Sequence, residues 1–152
     1  MEDNAQLLAS LSAVEWLANV GQPEADAQTA GSMEQIIDRV EQDPDAFFEP
    51  PYTDPYEALC AADDRAAAQI ESGAPDPRPK AIAKTAYLTA WECFPDPELC
   101  GLVSDDAHTI ATLLLTDEPL GPFTRERLRW YEQGRVPWGY LGTYPNGQWL
   151  IL

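Results

Sequence analysis

Prolines and glycines cut this chain into pieces of helix length, and that punctuation constrains its fold more than any other feature. Fourteen prolines are spread through 152 residues. Inside a helix each would remove a backbone hydrogen bond and clash with the preceding turn, so helices must fit between them. The first interval, residues 5–18, puts Leu7, Leu8, Leu11, Val14, and Leu17 or Ala18 on one stripe, which is helical spacing. Gly21-Gln22-Pro23 ends it, and residues 22–31, small, polar and acidic, read as a flexible connector. Ser32 with Gln35 three residues on forms a capping box for a second helix, striped by Met33, Ile36, Ile37 and Val40. Asp43-Pro44-Asp45 stops that helix, and Pro50-Pro51 forces an extended stretch before Tyr52.

Asp54-Pro55-Tyr56-Glu57 restarts a helix, with an aspartate cap, proline at the first helical position and a box glutamate. It is expected to run to Ser72 and stop at Gly73, with Tyr56, Leu59, Cys60, Ala67 and Ile70 on its apolar face. Residues 74–79, APDPRP, form a stiff linker and a possible boundary between two helical layers of a single 152-residue domain. A helix over residues 80–94 is ended by Pro95 and Pro97. After a turn around Glu98–Gly101, Ser104 is expected to cap another helix, with Asp105 and Asp106 in its first turn and Ala107, Ile110, Ala111 and Leu114 as its stripe. Thr124 is expected to cap the last helix, Phe123 to staple onto Leu128, and Gly134 to end it.

Beyond Gly134 the pattern changes. Tyr144-Pro145-Asn146-Gly147 is a strong turn between two apolar-aromatic runs. The fold class expected is therefore mainly α, about six helices, with a C-terminal antiparallel β-hairpin packed on them. Trp138, Tyr140 and Trp149 of that hairpin would clamp the helical core shut.

Charge limits the partners. The net charge is −17, and residues 1–79 hold 17 acids against Arg39, Arg65 and Arg78, a balance of −14. A field this one-sided repels nucleic acid and anionic lipid and attracts basic proteins. Arg125, Arg127 and Arg129 stand at two-residue spacing, so they splay around a helix; the expectation is that they pair with the acidic half or with Glu126 and Glu132. There is no run of the roughly 18 apolar residues that a membrane span needs. The acidic N-terminus lacks the basic start of a secretory signal, and three cysteines fit reduced thiols, so a cytoplasmic, bacterial protein is expected.

Two constellations carry possible chemistry. Asp105, Asp106 and His108, the one histidine, suit acid–base or divalent-metal work, but neighbouring helical residues point about 100° apart and do not converge. Cys93, Cys100 and His108 lack the close ligand pair of structural zinc sites, and buried thiols are the simpler reading. No phosphate-cradling loop, dinucleotide fingerprint or nucleophile elbow is present. No catalytic residue, metal or cofactor is assigned.

The partner-binding surface is placed instead on Glu41, Asp43, Asp45, Phe47, Phe48, Glu49, Tyr52, Asp54 and Glu57, aromatics set among carboxylates in the manner of interface anchors with a polar rim. The function expected is an acidic inhibitor, most concretely an immunity protein that occludes a basic toxin. The alternatives are a DNA mimic that occupies a nucleic-acid-binding protein, and a small hydrolase or metal-dependent enzyme using Asp105, Asp106 and His108.

Overall fold

The structure is a computed structural model that describes residues 3–12, 33–43, 54–93 and 95–137. Six helices make up its regular structure: α1 (Asn4–Ser12), α2 (Met33–Gln42), α3 (Asp54–Gly73), α4 (Arg78–Cys93), α5 (Pro97–Leu113) and α6 (Pro122–Glu132). None of these helices is long and apolar enough to cross a membrane.

Helix α5 is the hub. Leu99, Cys100, Val103, Ala107, Ile110 and Ala111 are buried along it, and Thr109 and Thr112 are buried on a second side. Its most extensive packing is on α4, followed by α3. Ala83, Ala86 and Ala90 line the buried face of α4. Such small side chains let two helix backbones approach closely, and Ser104 Oγ donates across the gap to Ala83 O at 2.9 Å. Ser104 thus sits mid-helix as a cross-link and does not cap. The cap is Asp96, whose side chain accepts from Leu99 N at 2.9 Å, with Pro97 following it. This is the same Asp-Pro signature that starts α3, and it places Asp105 and Asp106 in the body of α5, away from the first turn.

Helix α1 buries Leu7, Leu8 and Leu11 against the core. Its start is a reciprocal capping box: Asp3 Oδ1 accepts from Gln6 N at 2.8 Å and Gln6 Oε1 accepts from Asp3 N at 3.1 Å. Asn4 Nδ2 then donates to Thr116 O and Glu118 O, which ties α1 to the loop after α5. Val40 of α2 is buried.

Helix α6 begins with Gly121 as its cap residue and Pro122 in its first turn, so Thr124 is not the cap. Its hydroxyl reaches another helix, as described below. The end of α6 is a Schellman turn: Gly134 at φ 73°, Gly134 N bonded to Tyr131 O, and Arg135 N bonded to Trp130 O. The Arg135 guanidinium lies 3.8 Å from the centre of the Trp130 ring, covering the junction.

The helix-plus-hairpin class is corrected to a mainly helical one: the described residues form six helices and no strand. Trp138, Tyr140, Trp149 and the Tyr144–Gly147 turn lie outside those residues. Among the described residues, Trp130, Tyr131 and Val136 close this end of the core, at 2%, 0% and 1% exposed. The Schellman turn reverses the chain at Gly134, and Val136 comes back onto the core.

Candidate functional site

Where α3, α5 and α6 meet, the apolar core is interrupted by charge. Arg127 is 3% exposed on its side chain and lies between two carboxylates. Its Nη1 donates to Asp63 Oδ2 of α3 at 3.0 Å, and its Nη2 donates to Asp106 Oδ1 of α5. Two further donors from α6 complete the cluster. Thr124 Oγ1 donates to Asp63 Oδ2 at 2.6 Å, and Tyr131 Oη donates to Asp106 Oδ2. The Phe123 ring lies 5.4 Å from the guanidinium carbon, adding a cation–π contact. Thr124, Arg127 and Tyr131 come together because three- and four-residue steps return to one face of a helix.

The stoichiometry of this cluster is its main electrostatic property. One guanidinium serves two carboxylates whose side chains are 18% and 19% exposed. Among the described residues the cluster therefore falls one positive charge short. Burial pushes the Asp63 carboxyl above its ordinary value of 3.8, and the bonds from Thr124 and Arg127 only partly offset that rise.

A polar seam continues along α3 and α5. Thr109 Oγ1 donates to Asp64 Oδ1 at 3.3 Å, and His108 Nε2 lies 2.8 Å from Glu71 Oε1. Asp105, Asp106 and His108 thus face different partners: Asp105 is exposed, Asp106 serves Arg127 and Tyr131, and His108 meets Glu71. Among the described residues no three His, Cys, Asp or Glu side chains are grouped to hold a metal ion. Cys100 is buried, Cys60 and Cys93 are half-buried, and burial raises the thiol pKa of Cys93 and Cys100.

Next to the charged cluster lies a half-open cavity of about 430 Å³, bounded by α3, the end of α5 and the loop into α6. Asp63 and Thr124 form part of its wall, with Ile70, Leu113 and Leu120 as apolar surface and Glu118 as a second carboxylate. That volume falls within the size range of small-ligand pockets, roughly 300–1,000 Å³.

Of the surface assigned from sequence, Glu41 and Asp43 are exposed at the end of α2. Asp54 and Glu57 lie in the first turns of α3. Asp45, Phe47, Phe48, Glu49 and Tyr52 lie outside the described residues. The arginine triplet behaves as its spacing predicted: Arg125 pairs with Glu132, Arg129 with Glu126, and Arg127 with Asp63 of the acidic half.

Sequence reasoning missed Asp63, Thr124 and Tyr131, although a signal was present. Asp63 falls on the stripe of Leu59, Ala67 and Ile70, Asp106 beside that of Val103 and Ile110, and Arg127 on that of Phe123, Trp130 and Tyr131. A charge repeated at stripe positions of three helices marks ion pairs buried between them.

No protein-family model matches the chain, and no curated protein or solved structure matches it significantly.

Proposed function

We propose that this chain is an acidic binding protein that inhibits a basic protein partner, most concretely an immunity protein that occludes the substrate-binding surface of a toxin. One observation carries the reading: five of the nine lysine and arginine side chains are engaged within the fold, while many carboxylates among the described residues stand exposed. Arg78, Arg125, Arg127 and Arg129 are held in ion pairs within the chain, and Arg135 lies on Trp130. By contrast Asp38, Glu41, Glu92, Glu98, Asp117 and Glu118 are exposed. With a net charge of −17, the field presented to a partner is strongly negative. Such a field raises encounter rates with basic surfaces and rejects acidic ones.

The test is co-expression with basic proteins encoded beside this one. Rescue of growth from a toxic neighbour, together with a complex that weakens steeply as salt is added, supports the proposal. If no basic neighbour forms a complex even at low salt, the proposal fails. A complex displaced by DNA would favour the DNA-mimic version over toxin inhibition.

A further inference from the structure

The cavity beside Asp63 adjoins a cluster that, among the described residues, holds one cation against two carboxylates. Asp63 directs both of its hydrogen bonds through one oxygen, Oδ2, which accepts from Thr124 and from Arg127. Its other oxygen, Oδ1, accepts none from the described residues, and Asp63 lines the cavity. Arg127 cannot neutralise Asp63 alone, because it is shared with Asp106. The space available is not a metal cage: it offers two carboxylates, Asp63 and Glu118, against walls that include Ile70, Leu113 and Leu120. A charged end with a long apolar stem matches such a lining, since the stem buries on the aliphatic wall while the charge meets the carboxylate. The start of α6 also borders the cavity at Gly121, and its dipole favours anions. That fractional positive charge is outweighed by the two carboxylates.

We propose that this cavity is an anchoring pocket for an alkylammonium group, the lysine side chain of a basic partner, with its charge at Asp63 Oδ1 and its methylene stem against Ile70, Leu113 and Leu120. The inference deepens the inhibitor reading by naming what the partner inserts, and it rests on that reading only for the owner of the ammonium group. A lysine is preferred to an arginine because the acceptor left over is a single carboxylate oxygen, which suits a compact point charge better than a planar bidentate fork.

The probe is n-butylammonium chloride, titrated into the isotopically labelled full chain and followed by amide chemical shifts. The expected result is a saturable isotherm in the millimolar range, with shifts concentrated on residues 63–70 and 113–124. Sodium chloride and n-butanol at equal concentration should reproduce neither the pattern nor the saturation. Asp63→Asn should weaken binding about tenfold or more. Ala66→Leu, which fills the cavity from α3 and leaves every charge in place, should abolish it. Shifts that are absent, that sodium chloride reproduces, or that survive both variants would overturn the proposal. The two readings fail separately. A basic partner that binds Asp63→Asn and Ala66→Leu as well as wild type removes the pocket and leaves inhibition standing. A pocket that takes the probe while no basic neighbour binds does the reverse.

Discussion

Replacing Arg127 by methionine isolates the charge at the centre of the three-helix junction, because methionine keeps much of the apolar volume of the arginine stem. It strands Asp63 and Asp106, whose side chains are 18% and 19% exposed, without the guanidinium that both accept from. Breaking a buried ion pair on one side typically costs about 3–5 kcal/mol. Here both carboxylates keep a sliver of solvent and one hydroxyl donor each, from Thr124 and Tyr131, so the lower end of that range, about 3 kcal/mol, is expected. For a domain of this size that is a drop of roughly 6–12 °C in Tm, and a large share of a total stability of roughly 5–15 kcal/mol. Urea denaturation followed by circular dichroism measures it directly.

Two controls separate charge from volume. Adding Asp63→Asn and Asp106→Asn to Arg127→Met removes the stranded charges, so the triple variant should recover at least about 1 kcal/mol relative to the single one. The loss in Arg127→Met should also shrink on acidification, because protonation discharges both carboxylates. If Arg127→Met costs less than about 1 kcal/mol, or the triple variant is no better than the single, the cluster is not the electrostatic keystone of the junction.

Three further outcomes are expected. Gly101 lies inside α5, and a Cβ built there meets nothing within 4 Å, so Gly101→Ala should stabilise the fold by about 0.5–1 kcal/mol in the same denaturation assay. Gly134 holds φ 73° at the Schellman turn, so Gly134→Ala should cost about 1–2 kcal/mol, with asparagine milder than alanine. The carboxyl of Asp63 is raised in the folded chain, so the folded state binds its proton more tightly than the unfolded state does. Its contribution to stability is fully present below the ordinary value of 3.8 and is lost as pH rises through the folded value. Unfolding free energies measured from about pH 4 upward should therefore fall less steeply in Asp63→Asn than in wild type; equal slopes would contradict the assignment.

Much of the helical layout was legible without coordinates, for a local reason. Helix ends depend on groups within one turn of the terminus, so Asp54-Pro55 and Gly73 bracket α3 and Gly134 ends α6 as read from residue type. The start of α5 shows where locality stops being sufficient. Asp96-Pro97 and Ser104-Asp105-Asp106 are both good cap sequences, and nothing within a turn of either decides between them. The choice belongs to Leu99, Cys100 and Val103, which are buried only if the helix already exists at Pro97. The expected hairpin lies outside the described residues, among which no strand occurs, and a turn signal states that strands can pair and not that they do. In the structure the aromatics of α6 close the core.

The sequence by itself determined both ends of α3 and the end of α6, that the arginine triplet must splay, and that the field of the chain is negative. Each of these follows from spacing along one element or from a sum over residues. The structure alone decided which charges share a site. Arg127 meets Asp63 across 64 residues and Asp106 across 21, and those separations carry no periodic signal. Only the packing of α3, α5 and α6 brings one cation between two anions, and only their imperfect closure leaves a cavity beside Asp63. Ion pairing is decided by distance in space, and distance in space is a property of the assembled core.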